Sequence, residues 1–449
     1  MDWTKLPDLA AVALLTCAFA SVARQGQTLV SKIWLTGWIL IVVHLAASMF
    51  ITTPGIVGKV ILDLGLASLA AAGALFMWAA VPDRKDRTSH WMLLVLIATN
   101  TLYVTLISAD HRSASALTIA AVLLGAAPMA VAIGSLQRLN HFLRWVVVAI
   151  YWTLTVFLLT VQLRPGIGPS LALHGVFFTV YFGCCIHVWH AYRRATAGAF
   201  ITIVGFFAWA GAFAAEPLMQ SLVPRIKIEN EVWNIPQYIV ALGMILLLLE
   251  DQIENNKYLA LHDELTGLPN RRLFLDRLAT SLERARRMGS KAAVLVVDLN
   301  HFKQVNDTYG HHAGDLLLQN VSAIFSSRVR RSDTVARTGG DEFSLILEEP
   351  TNRSNAKHVA QALMELLNEP LQIGDQSVRV GASIGVAVFP DDATDLEALC
   401  IAADLRMYDD KNVSRDPVRL AAPLKSVASA SVTPDESNEM KLTANSPKF

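Results

Sequence analysis

Long apolar runs over the first 250 residues constrain the fold of this chain more than any other feature. A helix needs about 20 apolar residues to cross the hydrocarbon core of a bilayer. Nine runs approach or exceed that length, at about 6–22, 33–51, 56–80, 91–108, 115–135, 143–163, 168–190, 199–222 and 232–250. They account for the high hydrophobic content of 53%, because the rest of the chain has ordinary soluble composition. We therefore predict an all-α polytopic membrane domain over residues 1–250, with nine spans give or take one.

The connecting loops predict how these spans are oriented, because cytoplasmic loops carry an excess of Lys and Arg. The richer loops lie on the side where residue 251 emerges and contain Arg24, Lys32, Arg84, Lys85, Arg87, Arg138, Arg144, Arg193 and Arg194. The opposite side contains Lys5, Lys59, Arg112, Arg164, Arg225 and Lys227. This bias predicts an external N-terminus and a cytoplasmic C-terminal domain. The first run could instead be a signal peptide, but its start is poorly basic and its cleavage would put the C-terminal domain outside.

Several ionisable residues fall inside the predicted spans, where an ionised group costs at least ~2.5 kcal/mol at the bilayer centre. They are His44, Asp63, His174, His187, His190 and Glu216. His187 and His190 could bind haem or a metal from one helix face, although an interfacial position near the span end is the favoured interpretation. The domain is expected to sense a ligand or to anchor the chain in membrane lipid.

Residues 251–269 are predicted to be a helical linker followed by a break. No Pro or Gly occurs between residues 247 and 261, so the last membrane helix can continue outwards. Gly267 and Pro269 then end it before a new helix at about 270–288.

A hairpin is predicted around Gly339-Gly340, which separates two short strands and is followed directly by Asp341 and Glu342. A Gly-Gly pair allows the positive φ angles of a tight primed turn and lets a ligand approach the backbone. Upstream, the apolar strand at 292–299 places Asp298 at its end. Carboxylates at two such strand ends are the hard oxygen ligands that Mg²⁺ prefers.

Further elements alternate through this region without the rhythm of a purely parallel sheet. Residues 300–315 are interpreted as a polar loop that opens into a helix at about 313–328, and residues 377–389 as one strand. The remaining predicted elements are helices at 354–368 and 395–410 and a strand at 371–374. This order favours an α+β domain over residues 270–420, followed by a disordered tail at 421–449 that is rich in Ala, Ser, Thr, Pro and Lys.

The hairpin, the Asp298 strand, the segment Phe302-Lys303-Gln-Val-Asn306-Asp and residues 263–272 occur in one order. Together they resemble a GGDEF-family diguanylate cyclase over about residues 258–416. The resemblance implies an α+β fold with an antiparallel-containing central sheet, of the ferredoxin-like type shared with cyclase and polymerase-palm domains. It also implies a bacterial inner-membrane protein that condenses two GTP into cyclic di-GMP and releases pyrophosphate.

The resemblance assigns roles to individual residues. Asp341 and Glu342 would be catalytic, and two Mg²⁺ ions per half-site, with Mn²⁺ as an alternative, would be held by Asp298, the Leu299 carbonyl, Asp341 and Glu342. The substrate-binding positions would be Phe302, Lys303, Asn306, His311, Asp315, Gly339, Gly340, Lys411 and Arg415. Asp315 suits guanine independently of the family, because a carboxylate accepts from both N1–H and the 2-amino group. Residues 263 and 272 would tie the linker to the domain.

The chain contains one such hairpin and the product contains two nucleotides, so a homodimer is expected to bring two GTP together. Arg330 and Asp333 match an inhibitory product site of the family, whereas a lone RxxD is usually a surface ion pair. Near the end of the domain Asp410 and Ser414 depart from the family pattern, which would weaken phosphate affinity.

Other functions are disfavoured by the sequence. A net charge of zero without a basic stripe argues against nucleic-acid binding, and four cysteines without CxxC spacing imply neither disulfides nor zinc. A catalytically silent receptor for GTP or cyclic di-GMP would be expected to lack the hairpin acids. A transporter with an appended regulatory domain is the third hypothesis and rests on the intramembrane His and Asp residues.

Overall fold

The computed structural model describes residues 1–26, 28–80, 87–108, 113–134, 141–163, 169–192, 196–223, 225, 230–349, 352–373 and 376–413. The chain divides into two compact units, Met1–Asn255 and Asn256–Phe449. The predicted tail at 421–449, together with Ser414 and Arg415, lies outside the described residues.

The N-terminal unit is helical throughout the part of it that is described. Its helices are α1 (Leu6–Gly26), α2 (Leu29–Ser48), α3 (Gly55–Ala79), α4 (Arg87–Ser108), α5 (Ala114–Gly134), α6 (His141–Leu163), α7 (Pro169–Ala191), α8 (Ala197–Leu222) and α9 (Asn230–Leu261). Among the described residues, seven helical segments are long and apolar enough to cross a membrane, and two shorter apolar segments, Leu93–Ser108 and Ala114–Ala130, lie on α4 and α5. Each predicted span therefore falls on one helix, and the number of true spans stays a prediction.

Small residues let these helices approach closely, which is the usual basis of helix packing in a membrane. A Cβ added at Gly37 would lie 2.4 Å from the ring of Phe76, and one at Gly73 would lie 2.3 Å from Val180. Beside Gly73, the Tyr181 hydroxyl donates to the Leu69 carbonyl of α3 at 3.1 Å. His187 donates through Nδ1 to the carbonyl of Gly183 in its own helix at 2.8 Å, which fits the structural interpretation of that histidine.

The C-terminal unit combines five helices with six strands in its described part. The helices are α10 (Arg271–Met288), α11 (Phe302–Tyr309), α12 (His311–Arg328), α13 (Arg353–Asn368) and α14 (Leu396–Val413). The strands are β1 (Ala292–Leu299), β2 (Thr334–Arg337), β3 (Glu342–Glu348), β4 (Leu371–Ile373), β5 (Gln376–Val378) and β6 (Ala382–Phe389). The main sheet has the order β2-β3-β1-β6 with antiparallel neighbours throughout, which confirms the predicted α+β class.

Both faces of the main sheet are covered by helices. Ala293, Leu295 and Val297 of β1 join the core that includes residues of α12 and α13. Ala292 and Val294 join the core that includes residues of α10 and α14. Because successive strand residues point to opposite faces, a strand buried on both sides reads as a continuous apolar run. The same alternation puts Asp298 on the face covered by α10 and α14.

Two predicted elements are wrong in detail. The single strand at 377–389 is two strands, since β5 pairs with β4 in a separate ribbon and β6 belongs to the main sheet. Between them the Gly381 carbonyl accepts from the Asn300 N–H at 2.8 Å, next to the last pair of β1 and β6. The polar loop predicted after residue 300 contains α11, a short helix that buries Val305 and ends at Gly310 with φ of +84°.

Candidate active site

The hairpin tip differs from the predicted primed turn. The N–H groups of Thr338 and Gly339 both donate to the Glu342 carbonyl, at 3.0 and 3.3 Å. Neither Gly339 nor Gly340 has a positive φ, so conformational freedom does not explain the pair. A Cβ added at Gly339 would lie 2.7 Å from Oε2 of Glu342. The Glu342 carboxylate lies directly over the Gly339 backbone, so a side chain at residue 339 would force that carboxylate to move.

Strand register brings the acidic residues of the site together. Asp298 at the end of β1 is directly opposite Glu342 at the start of β3. Directly opposite residues of antiparallel strands share a face, with Cβ atoms about 4.5–5.5 Å apart. The Leu299 N–H donates to the Asp341 carbonyl at 3.2 Å and holds that residue beside the strand end. The three acidic residues that the sequence singled out therefore lie at the same end of strands β1 and β3.

Asp298 already has a cationic partner in this arrangement. Its relative exposure is 6%, and its Oδ1 accepts from Nζ of Lys411 at 2.7 Å. A buried carboxylate without a counter-charge is costly, so the ammonium stabilises the site. The Lys411 side chain is 45% exposed, which leaves it able to turn towards another anion. Lys411 was predicted for phosphate binding, and its ion pair with Asp298 was not anticipated.

The oxygen donors at this end of β1 and β3 suit a hard divalent cation. The carboxylates of Asp298, Asp341 and Glu342 and the Leu299 carbonyl are oxygen ligands of the kind that Mg²⁺ and Mn²⁺ prefer. The Lys411 contact indicates that a positive charge is favoured next to Asp298. Within the described residues, no group of three or more His, Cys, Asp or Glu side chains is arranged to hold a metal by itself. A cation here would therefore need oxygens of a bound phosphate to complete its coordination.

Five of the residues predicted to bind the nucleotide lie on helices α11 and α12, which are separated only by Gly310. Phe302 and Asn306 on α11 are half-buried. A Cβ at Gly314 would lie 1.9 Å from Oδ1 of Asn306, so the amide packs on the backbone immediately before Asp315. This requirement for Gly314 was missed by the sequence analysis. Exposed side chains in the same region are Lys303, His311 and Asp315.

Arg337 is a second residue that the sequence analysis missed. Its Nη1 donates to both carboxylate oxygens of Asp263, at 2.9 and 3.1 Å, while Nε and Nη2 donate to the Gly340 carbonyl at 3.1 and 2.7 Å. The pKa of Asp263 is raised by burial, but hydrogen bonds from Thr266 and Arg337 outweigh that effect and leave it below its ordinary value. Arg337 thus joins the turn before α10 to the hairpin tip.

The role of Arg272 in tying the linker to the domain, which the resemblance implied, stays a prediction. Arg272 is exposed, and only its backbone N–H makes a local contact, donating to Oδ1 of Asn270 at 3.0 Å in the N-cap of α10. The arginine that engages Asp263 comes from β2 instead, so the contact depends on sheet geometry rather than on sequence proximity. Asp410 also has a local role, because its Oδ2 accepts from the Ile384 N–H at 3.1 Å and fixes α14 to β6.

The RxxD residues lie at the opposite end of β2 from the hairpin tip. The Asp333 carboxylate accepts from the N–H groups of Arg330 and Glu348, both at 3.0 Å, and so holds the turn together. In the part of the chain that is described, the exposed Arg330 guanidinium has no ion-pair partner. The side chains of Arg330 and Asp333 therefore do not form a simple surface ion pair with each other.

Comparison with known proteins identifies the same region. Residues 260–417 match the family model described as "Diguanylate cyclase, GGDEF domain". Over 160 residues the chain is 47% identical to the bifunctional diguanylate cyclase/cyclic di-GMP phosphodiesterase MucR of Pseudomonas aeruginosa, covering 35% of this chain and 23% of MucR. Over 174 residues it is 37% identical to diguanylate cyclase TpbB of the same species, covering 38% of this chain and 40% of TpbB.

A solved structure of one of these relatives is also similar to part of this chain. A GGDEF-domain structure of TpbB is 37% identical and covers 34% of this chain and 90% of that chain, with a TM-score of 0.34. The chain spans less than half the length of the two curated relatives named above.

Proposed function

We propose, from the premise that residues 260–417 form a GGDEF domain, that this chain is a membrane-bound diguanylate cyclase. It would condense two GTP into cyclic di-GMP with release of two pyrophosphates. The observation that carries the proposal is the register of β1 and β3, which sets Asp298 opposite Glu342 and beside Asp341. Each reaction forms one bond from a ribose 3′-oxygen to an α-phosphorus and breaks the bond from that phosphorus to the leaving pyrophosphate.

The roles of individual side chains follow from their chemistry. Asp298, Asp341, Glu342 and the Leu299 carbonyl would hold two Mg²⁺ or Mn²⁺ ions, which when bound lower the pKa of the 3′-hydroxyl and offset phosphoryl charge. Asp341 is the proposed proton acceptor. Lys411 would exchange its contact with Asp298 for one with a phosphate oxygen, because its exposed stem gives it that freedom.

Base recognition would use α11 and α12. Asp315 offers a carboxylate to the two adjacent donors of guanine, and Asn306 is positioned over Gly314 next to it. Phe302, Lys303, His311, Gly339 and Gly340 complete the proposed contacts with GTP, with Arg415 as a further phosphate ligand.

The proposed enzyme works as a homodimer in the bacterial inner membrane, with the GGDEF domain in the cytoplasm and the N-terminus outside. One hairpin per chain and two nucleotides per product support the dimer. The Lys and Arg bias of the loops supports the orientation. Regulation by the membrane domain and inhibition by product at Arg330 and Asp333 are part of the same proposal. In this site the exposed Arg330 would bind product while Asp333 keeps the turn in shape.

The test incubates the full-length protein in detergent with GTP and Mg²⁺ and separates the nucleotides by chromatography. We expect cyclic di-GMP from the wild type and a loss of at least about 100-fold in Asp341→Asn, since a metal-binding carboxylate is removed. Asp391→Asn is the matched control, because Asp391 makes only an exposed pair with Lys291 at 2.7 Å. Undiminished product from Asp341→Asn, or binding of cyclic di-GMP without any synthesis by the wild type, would overturn the proposal.

The same assay tests product inhibition. Added cyclic di-GMP should inhibit the wild type and the Arg331→Ala control, whereas Arg330→Ala should be inhibited at least about tenfold less strongly. An unchanged inhibition curve for Arg330→Ala would rule out the RxxD site.

A further inference from the structure

A polar cavity lies within the helical unit, apart from the GGDEF domain. Its volume is about 190 Å³. The polar residues that line it are Lys5, Asp8, His44, Ser48, Glu216, Asn234 and Gln237, and its aromatic lining includes Trp209, Phe213 and Trp233. A water molecule takes about 30 Å³ in the liquid, and pockets for drug-sized ligands begin at about 300 Å³. The cavity therefore has room for a small molecule of several heavy atoms.

One wall of the cavity is held in place by a buried carboxylate. Asp8 of α1 is 6% exposed, and its two oxygens accept from Nδ2 of Asn234 and from the hydroxyl of Tyr238, each at 2.6 Å. These partners are neutral, so they orient the carboxylate without cancelling its charge. Carboxylate oxygens have about four acceptor sites, so Asp8 keeps capacity for a further donor.

The other charged groups come from separate elements. Glu216 of α8 is near Nε2 of His174, at 3.3 Å, and accepts from Gln220 at the same distance. Lys5 has no ion-pair partner among the residues that the structure describes. With neutral histidines, the lining carries two negative charges and one positive charge. Ionisable groups within a membrane segment are expensive and usually serve a function.

An orphaned donor shows what kind of ligand atom the cavity lacks. Gln237 is 3% exposed, and its Nε2 has no hydrogen-bond partner. A buried N–H group left unpaired costs about 1–3 kcal/mol. A bare cation cannot relieve this cost because it accepts no hydrogen bond. The His44 ring donates through Nδ1 to the Gly65 carbonyl at 2.9 Å, so its Nε2 is an acceptor when the ring is neutral.

We propose that this cavity binds a small zwitterion of the α-amino-acid class. The ligand ammonium would lie among Asp8, Glu216 and the faces of Trp209 and Trp233, since carboxylates and indole faces both attract cations. The ligand carboxylate would accept from Gln237 and pair with Lys5. This arrangement gives the orphaned Gln237 donor an acceptor and places a ligand charge of opposite sign beside Lys5 and beside the carboxylates, which neither a metal ion nor a neutral solute does. The site is independent of the cyclase activity, and binding can be measured in its absence.

The binding test uses the full-length chain in nanodiscs and the common L-amino acids, each at millimolar concentration. We expect at least one of them to raise the unfolding temperature and to bind in calorimetry. N-acetylation of that ligand, or its replacement by the corresponding decarboxylated amine, should each weaken binding at least about tenfold, because one charged contact is lost. No binding by any L-amino acid overturns the proposal, as does stabilisation by NaCl or KCl alone.

Variants assign the binding to the cavity. Gln237→Leu should weaken binding at least about tenfold. Gln162→Leu is the matched control, since Gln162 also has an unpartnered buried Nε2 but does not line the cavity. Lys5→Gln should weaken binding of the amino acid more than binding of its decarboxylated amine. This second variant tests the site even if Gln237→Leu does not fold. Equal affinity in wild type, Gln237→Leu and Lys5→Gln would contradict the assignment.

Discussion

Asp8 in the helical unit and Asp298 in the GGDEF domain are equally buried, with 6% relative exposure each, but have opposite kinds of partner. Asp298 accepts from a lysine ammonium whose side chain is nearly half exposed. Asp8 accepts from an amide and a phenol that come from the start of α9. In the GGDEF domain the carboxylate charge is countered by a partly exposed ammonium, and in the helical unit the carboxylate is only oriented by neutral donors.

This difference indicates what each carboxylate can do. A charge countered by a flexible ammonium can exchange that partner for a divalent cation without leaving an unpaired group behind. A charge held by neutral donors stays available to a cationic ligand while its position is fixed. Under the two proposals above, aspartates of equal burial would serve as an exchange site and as a fixed recognition site.

The largest expected effect comes from Asp298→Asn. The substitution keeps the shape of the side chain but removes the negative charge that would bind the metal, so synthesis of cyclic di-GMP should fall at least about 100-fold. The measurement is product formation by the full-length protein, with Asp391→Asn as the control that should stay within about twofold. Full activity of Asp298→Asn would show that the Asp298 charge is not needed for metal binding, and the contrast with Asp8 would then fail.

A third carboxylate, that of the half-buried Asp392, sharpens the comparison because its role is structural. Asp392 accepts from Nη2 and Nη1 of Arg406, at 2.7 and 2.8 Å, from the Val388 N–H at 2.7 Å and from Arg353. Arg406 foremost holds the pKa of Asp392 well below its ordinary value. Its stabilising contribution is therefore present above the unfolded pKa of about 3.9 and is lost as the pH falls through the folded-state pKa.

Asp392→Asn should accordingly destabilise the GGDEF domain by about 2 kcal/mol at neutral pH and flatten its loss of stability in acid. Hydrogen exchange of the β6 amides in the full-length protein, at pH 7 and below pH 4, measures both effects. Asp391→Asn again provides the neighbouring control. An acid profile identical to that of the wild type would show that this carboxylate does not carry the pH dependence.

The smallest expected effect concerns Lys411→Met. Without the ammonium, Asp298 loses its counter-charge in metal-free protein, and the partial exposure of the pair limits the cost to about 1 kcal/mol. Hydrogen exchange of β1 amides in the presence of a chelator reports this cost, and added Mg²⁺ should recover part of it. Lys291→Met is the control, because the Lys291–Asp391 pair is more exposed on its acidic side. Equal protection in both variants would mean that Lys411 is not the exchangeable partner.

The predictability of the two units differs for a physical reason. The hairpin acids, β1 and the periodic helices α10 and α12 were predicted because their signals are local, such as Gly-Gly followed by carboxylates or an apolar stripe. The α+β class was predicted from the order of these local elements, and the sheet topology confirms it. The short helix α11 was taken for a loop because a single buried residue gives no periodicity.

Long-range partners could not be predicted from spacing. Arg337 meets Asp263 across 74 residues, and Asn234 meets Asp8 across 226. Nothing in the sequence near Asp8 distinguishes it from an ordinary flanking charge, because its neighbours are brought to it only by helix packing. The polar cavity is lined by residues of five helices, α1, α2, α3, α8 and α9, and for that reason it could not be predicted from the sequence.

Helix α9 is secured at two separated levels within the helical unit. Near its start, Asn234 and Tyr238 hold Asp8 of α1, and further along, Glu250 accepts from the Gly198 N–H of α8 while Gln252 donates to the Val22 carbonyl of α1. Helix α9 therefore cannot translate or rotate relative to its neighbours without breaking the hydrogen bonds at one of these two levels. A displacement of α9 that preserves these hydrogen bonds must carry α1 along, so the first and last helices of the unit are mechanically coupled.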